Sequence, residues 1–191
     1  KTGEFRRYLP SEGLDNYELF EIVRAKNGKM WLAERLCVQE FDPATRRFRT
    51  FKPKFSTPDV NHKVLEIMED SKGNIWLGCN HDGLFRLDPV SGKMEHIPLN
   101  GKRHYVRALE EDNKGRILVG QADGFFRYDP TTMRYEHFLQ KDTAYHSCND
   151  FALDRNGKLW VGTDDGLFQL SDDGRTEFAL TTRNGLQNNM V

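Results

Sequence analysis

Residues 73–94 read GNIWLGCNHDGLFRLDPVSGKM. IWLGC (75–79) is a short apolar run of the kind that forms a buried strand. Asn80-His-Asp-Gly83 is a turn in which Gly83 can take positive φ. LFRLD (84–88) is a further strand, and Pro89, which has no N–H for the ladder, ends it. Val90-Ser-Gly92 then turns into KMEHIPL (93–99). On the upstream side, VLEIMED (64–70) alternates as a strand does, and Asp70-Ser-Lys-Gly73 fits a type I turn, with Asp first and Gly fourth. Residues 64–99 therefore predict four antiparallel strands joined by three tight connections.

The same phrase returns along the chain. Its opening tetrad reads GKMW at Gly28, GNIW at Gly73, GRIL at Gly115 and GKLW at Gly157, with glycines 45, 42 and 42 residues apart. Asp42-Pro43, Asp88-Pro89 and Asp129-Pro130 keep step at intervals of 46 and 41. A period of about 40–45 residues is that of a four-stranded propeller blade. Repeat one predicts strands at 18–25, 29–33, 37–42 and 47–51; repeat three at 106–112, 116–120, 125–129 and 133–139; repeat four at 150–154, 158–162, 167–170 and 175–180. Repeat one is degenerate: Ala25 replaces the turn Asp, and Cys37 stands where the others have Gly83, Gly124 and Gly166. No segment has a helical period. The expected architecture is an all-β β-propeller segment with blades at about 11–53, 54–99, 100–141 and 142–184. TGEFRRYLP (2–10) reads as an outer strand and GLQNNMV (185–191) as the start of a next blade, so the chain is expected to be an arc of a larger propeller. An arc leaves apolar blade faces open to association, and a homodimer of two such arcs could close an eight-blade ring.

Composition narrows the function classes. The chain has 191 residues, is 37% hydrophobic and 12% aromatic, and carries 28 basic against 29 acidic residues. That suffices for a packed core. The even charge offers no basic stripe for nucleic acid, and no apolar run is long enough to span a bilayer. No signal-peptide pattern opens the chain, since residue 1 already lies in repeat-like sequence, which leaves the precursor open. Cys37, Cys79 and Cys148 share no CxxC spacing, so neither a zinc site nor a disulfide framework is indicated, and small buried thiols are expected. Trp31, Trp76 and Trp160, with Leu118 as the exception, hold one register and read as packing between blades.

Strand direction alternates, so the loop entering each inner strand lies on the same face as the turn between second and third strands. His62, His104 and His146 lie 42 residues apart, each 11 before its repeat glycine, and Tyr17 holds that register in repeat one. Asn189 holds it in the next. His81, Asp82, Asp123 and Asp165 come from turns on that face, and Tyr105 adjoins His104. Three uses compete: caps of strand entries; a polar ligand pocket over the channel, in which His, Asp and Tyr meet sugar hydroxyls and ring faces; or a metal ring, for which inner positions of adjacent blades are widely spaced against a bond length of about 2 Å. The ligand set drawn from this face is Tyr17, His62, His81, Asp82, His104, Tyr105 and His146, with no catalytic residue, metal ligand or cofactor assigned. Glu95-His96 and Glu136-His137 fall on outermost strands and read as solvated edge residues. No nucleophile elbow, phosphate loop, HExxH or calcium loop is present.

GNIWLGCNHDGLFRLDPVSGKM, GRILVGQADGFFRYDPTTMRY and GKLWVGTDDGLFQL resemble the two-component regulator propeller repeat, as do VLEIMEDSKGN and the LxNN-like GLQNNMV. The resemblance runs through four repeats. It implies the sensor region of a bacterial hybrid two-component system, lying in the periplasm as the extracytoplasmic part of an inner-membrane receptor. It further implies a glycan breakdown product as ligand, other propeller domains of the same receptor as partners, an Asn at the position of Asn189, and no enzymatic activity in this segment. A protein-interaction scaffold and, third, a propeller lyase or lactonase using the histidines and a metal are the alternatives. No nucleic-acid partner is expected.

Overall fold

The computed structural model describes residues 3, 5–56, 61–99, 105–138 and 147–191. Their sixteen strands form four antiparallel four-stranded sheets, each taking its strands in chain order. Blade one holds β1 (Leu19–Arg24), β2 (Met30–Glu34), β3 (Val38–Asp42) and β4 (Arg47–Phe51). Blade two holds β5 (Val64–Glu69), β6 (Ile75–Cys79), β7 (Leu84–Leu87) and β8 (Met94–Ile97). Blade three holds β9 (Val106–Glu111), β10 (Ile117–Gln121), β11 (Gly124–Asp129) and β12 (Arg134–Phe138), and blade four β13 (Cys148–Leu153), β14 (Leu159–Thr163), β15 (Gly166–Leu170) and β16 (Thr176–Leu180). The innermost strands β1, β5, β9 and β13 stand side by side in that order. The fold is thus the expected all-β propeller arc.

The expected outer strand over 2–10 lies partly outside the described residues. Residues 5–9 form no strand, and a 3-10 turn spans Pro10–Glu12. An outer strand needs a third strand to ladder with, and the described residues offer this segment none. The segment is held by rings instead: Tyr8 packs edge-on against Phe41 and Phe48 at 5.0 and 5.6 Å. At the other end Val191 donates its N–H to the Thr163 carbonyl at 3.0 Å.

The core lies between blades. Trp31, Ala33 and Val38 of blade one join Val64, Ile67 and Leu77 of blade two. Trp76 and Leu84 join Val106, Val119 and Phe126 of blade three. Leu118 and Phe125 join Cys148, Phe151 and Val161 of blade four. Trp31, Trp76 and Leu118 thus repeat one packing role, which explains their shared register. Trp160, on the far side of blade four, is half-buried and meets the Phe178 ring at 6.0 Å.

The repeated turn Asp has a mechanism. Buried Asp70 accepts the backbone N–H groups of Lys72 and Asn74 through Oδ1 and the Trp76 indole N–H through Oδ2 at 2.9 Å. Asp154 does the same for Asn156, Lys158 and Trp160. Where Leu118 replaces the Trp, Arg116 takes the free oxygen of Asp112. The residue therefore sets the turn and anchors the core aromatic together. Asp70→Ala leaves those donors unsatisfied and is expected to cost about 2 kcal/mol in chemical denaturation. Unchanged stability would show that water replaces the carboxylate.

Candidate functional site: the inner face of the arc

Pairing of Val64 with Cys79, and of Leu19 with Glu34, puts the start of each inner strand beside the end of the second. The entry loops and the second-to-third-strand turns therefore share one face, as the alternation of strands demands. In blade two the described residues of this face form one connected group. Gly83, at φ 73°, closes the turn that carries His81 and Asp82. Asp82 is buried and its Oδ2 lies 2.7 Å from Nδ1 of buried His62. Its Oδ1 accepts the Ser56 N–H at 2.8 Å. Phe55 covers His62 with a parallel ring at 4.2 Å. His62 and Asp82 therefore lock the 55–56 segment, the entry loop and the turn together beneath the surface. His81 stands outside them, exposed, with its ring edge-on to His62 at 5.8 Å.

Tyr17 is 55% exposed with the Arg7 guanidinium 5.6 Å from its ring centroid, and Tyr105 is 42% exposed with Arg107 at 5.7 Å. Arg107 also donates to Ser147 Oγ and Asn149 Oδ1, tying blade three to blade four. His104 and His146 lie outside the described residues. Of the predicted set, then, Tyr17, His81 and Tyr105 present side chains at the face, while His62 and Asp82 support it from below. Asp123 and Asp165 are half-buried in their turns, and Asn189 is spent on the Thr182 N–H. The outer-strand histidines are not uniformly idle: His96, although exposed, places Nε2 2.8 Å from the Asp82 carbonyl and so braces the same turn.

A feature that sequence reasoning missed lies on the inner strands. Glu21, Glu66 and Asp150 pair with Ala33, Gly78 and Gly162, the same register in blades one, two and four. In blade three that register holds Ala108, opposite Gly120, and Glu110 follows two residues on, on the same side of the strand. The charge of Asp150 reaches Glu21, Glu66 and Glu110, and that of Glu21 reaches Glu66. Burial pushes Glu66 up to about 8, helped by the charges of Glu21 and Asp150. Burial likewise raises Glu21, against the pull of the Ile67 N–H that it accepts, and Asp150 adds to the rise. Burial raises Glu110 against the Glu111 amide, again with Asp150 adding. The signal was available, since Glu21, Glu66 and Asp150 lie one and then two blade periods apart.

Chemically, the face offers exposed aromatic rings and a histidine above a row of carboxyls, of which Glu66 is pushed up to about 8. The ring-bearing positions suit a ligand with apolar faces, and the carboxyls offer both donors and acceptors. One further group of ligating side chains sits at the edge of blade one, where Asp15, Glu34 and Cys37 bring their ligand atoms within 4.8 Å of one another.

Comparisons with known proteins follow the fold. The extracellular domain of a hybrid two-component system from B. thetaiotaomicron superposes with TM-score 0.72 at 20% identity over 81% of this chain and 21% of its own length. A second such domain from the same organism gives 0.73 at 19% over 97% of this chain and 24% of its own. Virginiamycin B lyase from Staphylococcus aureus gives 0.73 at 14%, covering 86% of this chain and 55% of the lyase. The chain thus spans about a quarter or less of the two sensor domains, and the likeness is one of fold. Curated protein sequences give no match. A family model described as the SMP-30/Gluconolactonase/LRE-like region matches residues 65–175. As that match takes in more than half of its length, the chain belongs to the SMP-30/gluconolactonase/LRE-like family of propellers.

Proposed function

We propose that this arc is part of the ligand-sensing propeller of an extracytoplasmic two-component receptor, that it does not itself catalyse a reaction, and that its ligand is a glycan breakdown product. The observation that carries the reading is the composition of the inner face. Tyr17, His81 and Tyr105 stand exposed at loop positions of three different blades, above the carboxyl row of Glu21, Glu66, Glu110 and Asp150. A sugar needs aromatic faces for its C–H surfaces and both donors and acceptors for its hydroxyls. The extracellular sensor domains with the same fold support the setting. No helix of the described residues is long and apolar enough to cross a membrane.

Oligosaccharide binding is expected to raise the melting temperature, because the ligand engages only the folded state. A panel of defined oligosaccharides, read by thermal shift and then calorimetry, tests this. Tyr17→Ala and Tyr105→Ala each remove an aromatic anchor and are expected to weaken binding about tenfold. A panel-wide flat response, or full affinity in both variants, overturns the reading.

A catalytic second reading has one observation in its favour. Glu66, held near 8, is a protonated carboxyl at neutral pH and so a candidate general acid, on a fold that a lyase shares. Turnover of lactones that is abolished in Glu66→Gln would replace the sensing reading with that one.

A further inference from the structure

Cys37 occupies the register that Gly83, Gly124 and Gly166 hold in the other blades, and the exchange has surroundings to match. Glu34 ends β2 and Cys37 precedes β3; both are completely buried. Asp15 reaches them from the loop before β1. Cys37 Sγ lies 3.5 Å from Asp15 Oδ2 and 3.7 Å from Glu34 Oε2. The other oxygen of Glu34, Oε1, is buried without a hydrogen-bond partner among the described residues. The Asn16 amide also serves Glu34, but Oε1 stays a buried carboxylate oxygen without a donor, which is costly, and the one thiol is shared between two carboxylates. Something positive and compact would satisfy all three groups at once.

We propose that Asp15, Glu34 and Cys37 form a zinc site. Tetrahedral zinc with bonds of about 2.0–2.3 Å holds its ligand atoms about 3.5 Å apart, and the two sulfur–oxygen separations, 3.5 and 3.7 Å, are already close to that. A thiol among the ligands selects a borderline-soft ion such as zinc over calcium or magnesium, which take oxygen donors. The neighbours hold the ligands in place. Lys52 Nζ sits 3.1 Å from Asp15 Oδ1, on the oxygen turned away from the sulfur, and offsets part of the site's negative charge. The Asp15 backbone N–H is fixed by Gln39 Oε1 at 3.1 Å. On binding, the Cys37 proton leaves to solvent and the thiolate bonds the metal. Three protein ligands leave a fourth position for water. The metal would fasten the loop that carries Tyr17, two residues beyond Asp15, to the β2–β3 turn of blade one.

CxxC spacing could not have shown this site, because its ligands come from a loop, a strand end and a turn. The test uses the full chain stripped with chelator and titrated with zinc chloride. One zinc per chain, bound with proton release and retained through dialysis, is expected, with no comparable uptake of calcium or magnesium. Cobalt(II) in its place is expected to show a thiolate-to-metal charge-transfer band. Cys37→Gly installs the residue native to the other blades, so the turn is expected to fold, and it is expected to abolish the band. Glu34→Gln is expected to weaken zinc binding at least tenfold. The proposal is overturned by substoichiometric zinc, by a cobalt band that survives in Cys37→Gly (which would assign the metal to Cys79 or Cys148), or by undiminished binding in Glu34→Gln. Loss of folding in Cys37→Gly shifts the decision to Glu34→Gln and to Asp15→Asn, whose side chain keeps a third of its surface in solvent.

Discussion

Gly78→Val is expected to destabilise the protein by more than about 3 kcal/mol, and Gly78→Ala by about 2. Gly78 is the last glycine of IWLG in β6, and the inner strand of the next blade rests on it. A Cβ built there would lie 2.5 Å from Val106 Cγ1 and 2.9 Å from Val106 Cβ, with Glu66 Cβ at 3.1 Å on the other side. Val106 is completely buried, so it has nowhere to retreat. The arrangement repeats: a Cβ at Gly120 would meet Cys148 Sγ at 2.8 Å, and one at Gly162 would meet Val191 Cγ1 at 3.3 Å. Blade one has Ala33 instead, buried in the same core as Val64, and that joint carries a methyl group. Ala33→Gly is accordingly expected to cost under about 1 kcal/mol. Urea denaturation of the set decides the matter. Val106→Ala combined with Gly78→Ala is expected to recover part of the loss, the non-additivity of two groups in contact. Equal effects at positions 33 and 78, or strict additivity of the pair, would show that inter-blade spacing is not set by this glycine.

This joint also shows why the architecture was legible in the sequence. Each blade presents a small residue where the next one leans on it, blades two to four an Asp–Gly turn before the second strand (Asp70, Asp112, Asp154), and blades one to three an Asp after the third (Asp42, Asp88, Asp129). Asp88 meets the last demand through the Ser91 hydroxyl and the amides of Val90 and Ser91, and Asp129 through Thr131 and Thr132. Such requirements are local, so they recur at the blade period and bound the strands to within a residue or two. The site was less legible because burial depends on segments distant in sequence. His62 stands in register with His104 and reads as a surface ligand, yet the Phe55 ring, seven residues earlier, lies over it. The carboxyl row was hidden for a different reason. Alternation in VLEIMED shows that Glu66 and Met68 share a side, but only the curvature of the arc turns that side toward the other three inner strands. The Asp15–Glu34–Cys37 group depended on an irregularity, the cysteine that replaces a turn glycine, whose meaning emerged only when its two carboxylate neighbours were placed.

The carboxyl row makes stability fall as pH rises from about 5 to 8.5. Glu66 is raised from 4.5 to about 8, and Glu21 and Glu110 are raised as well. Below the unfolded-state value the carboxyls are protonated in both states and carry no pH dependence. Between that value and the folded one, the native protein keeps protons that the unfolded chain has released. Unfolding then releases protons and is favoured by each further rise in pH. Above about 8 both states are ionised and the full penalty of gathering the charges is felt. For Glu66 alone, solvent screening at a half-buried side chain leaves about 2 kcal/mol of the full linkage. In the metal-free protein Glu34, pushed up to about 7 chiefly by burial and further by Asp15, against the Asn16 amide and the Cys37 thiol, acts in the same direction. A protein whose carboxylates were merely solvated would show a flat profile over this window. Glu66→Gln, an uncharged isostere, is expected to match the wild type at pH 5 and to exceed it in melting temperature at pH 8.5. Glu95→Gln, on the exposed outer strand β8, is expected to change neither. Parallel profiles for wild type and Glu66→Gln would mean that Glu66 is hydrated and unstrained, and the case for a carboxyl there that donates a proton to a sugar hydroxyl would lose its physical basis.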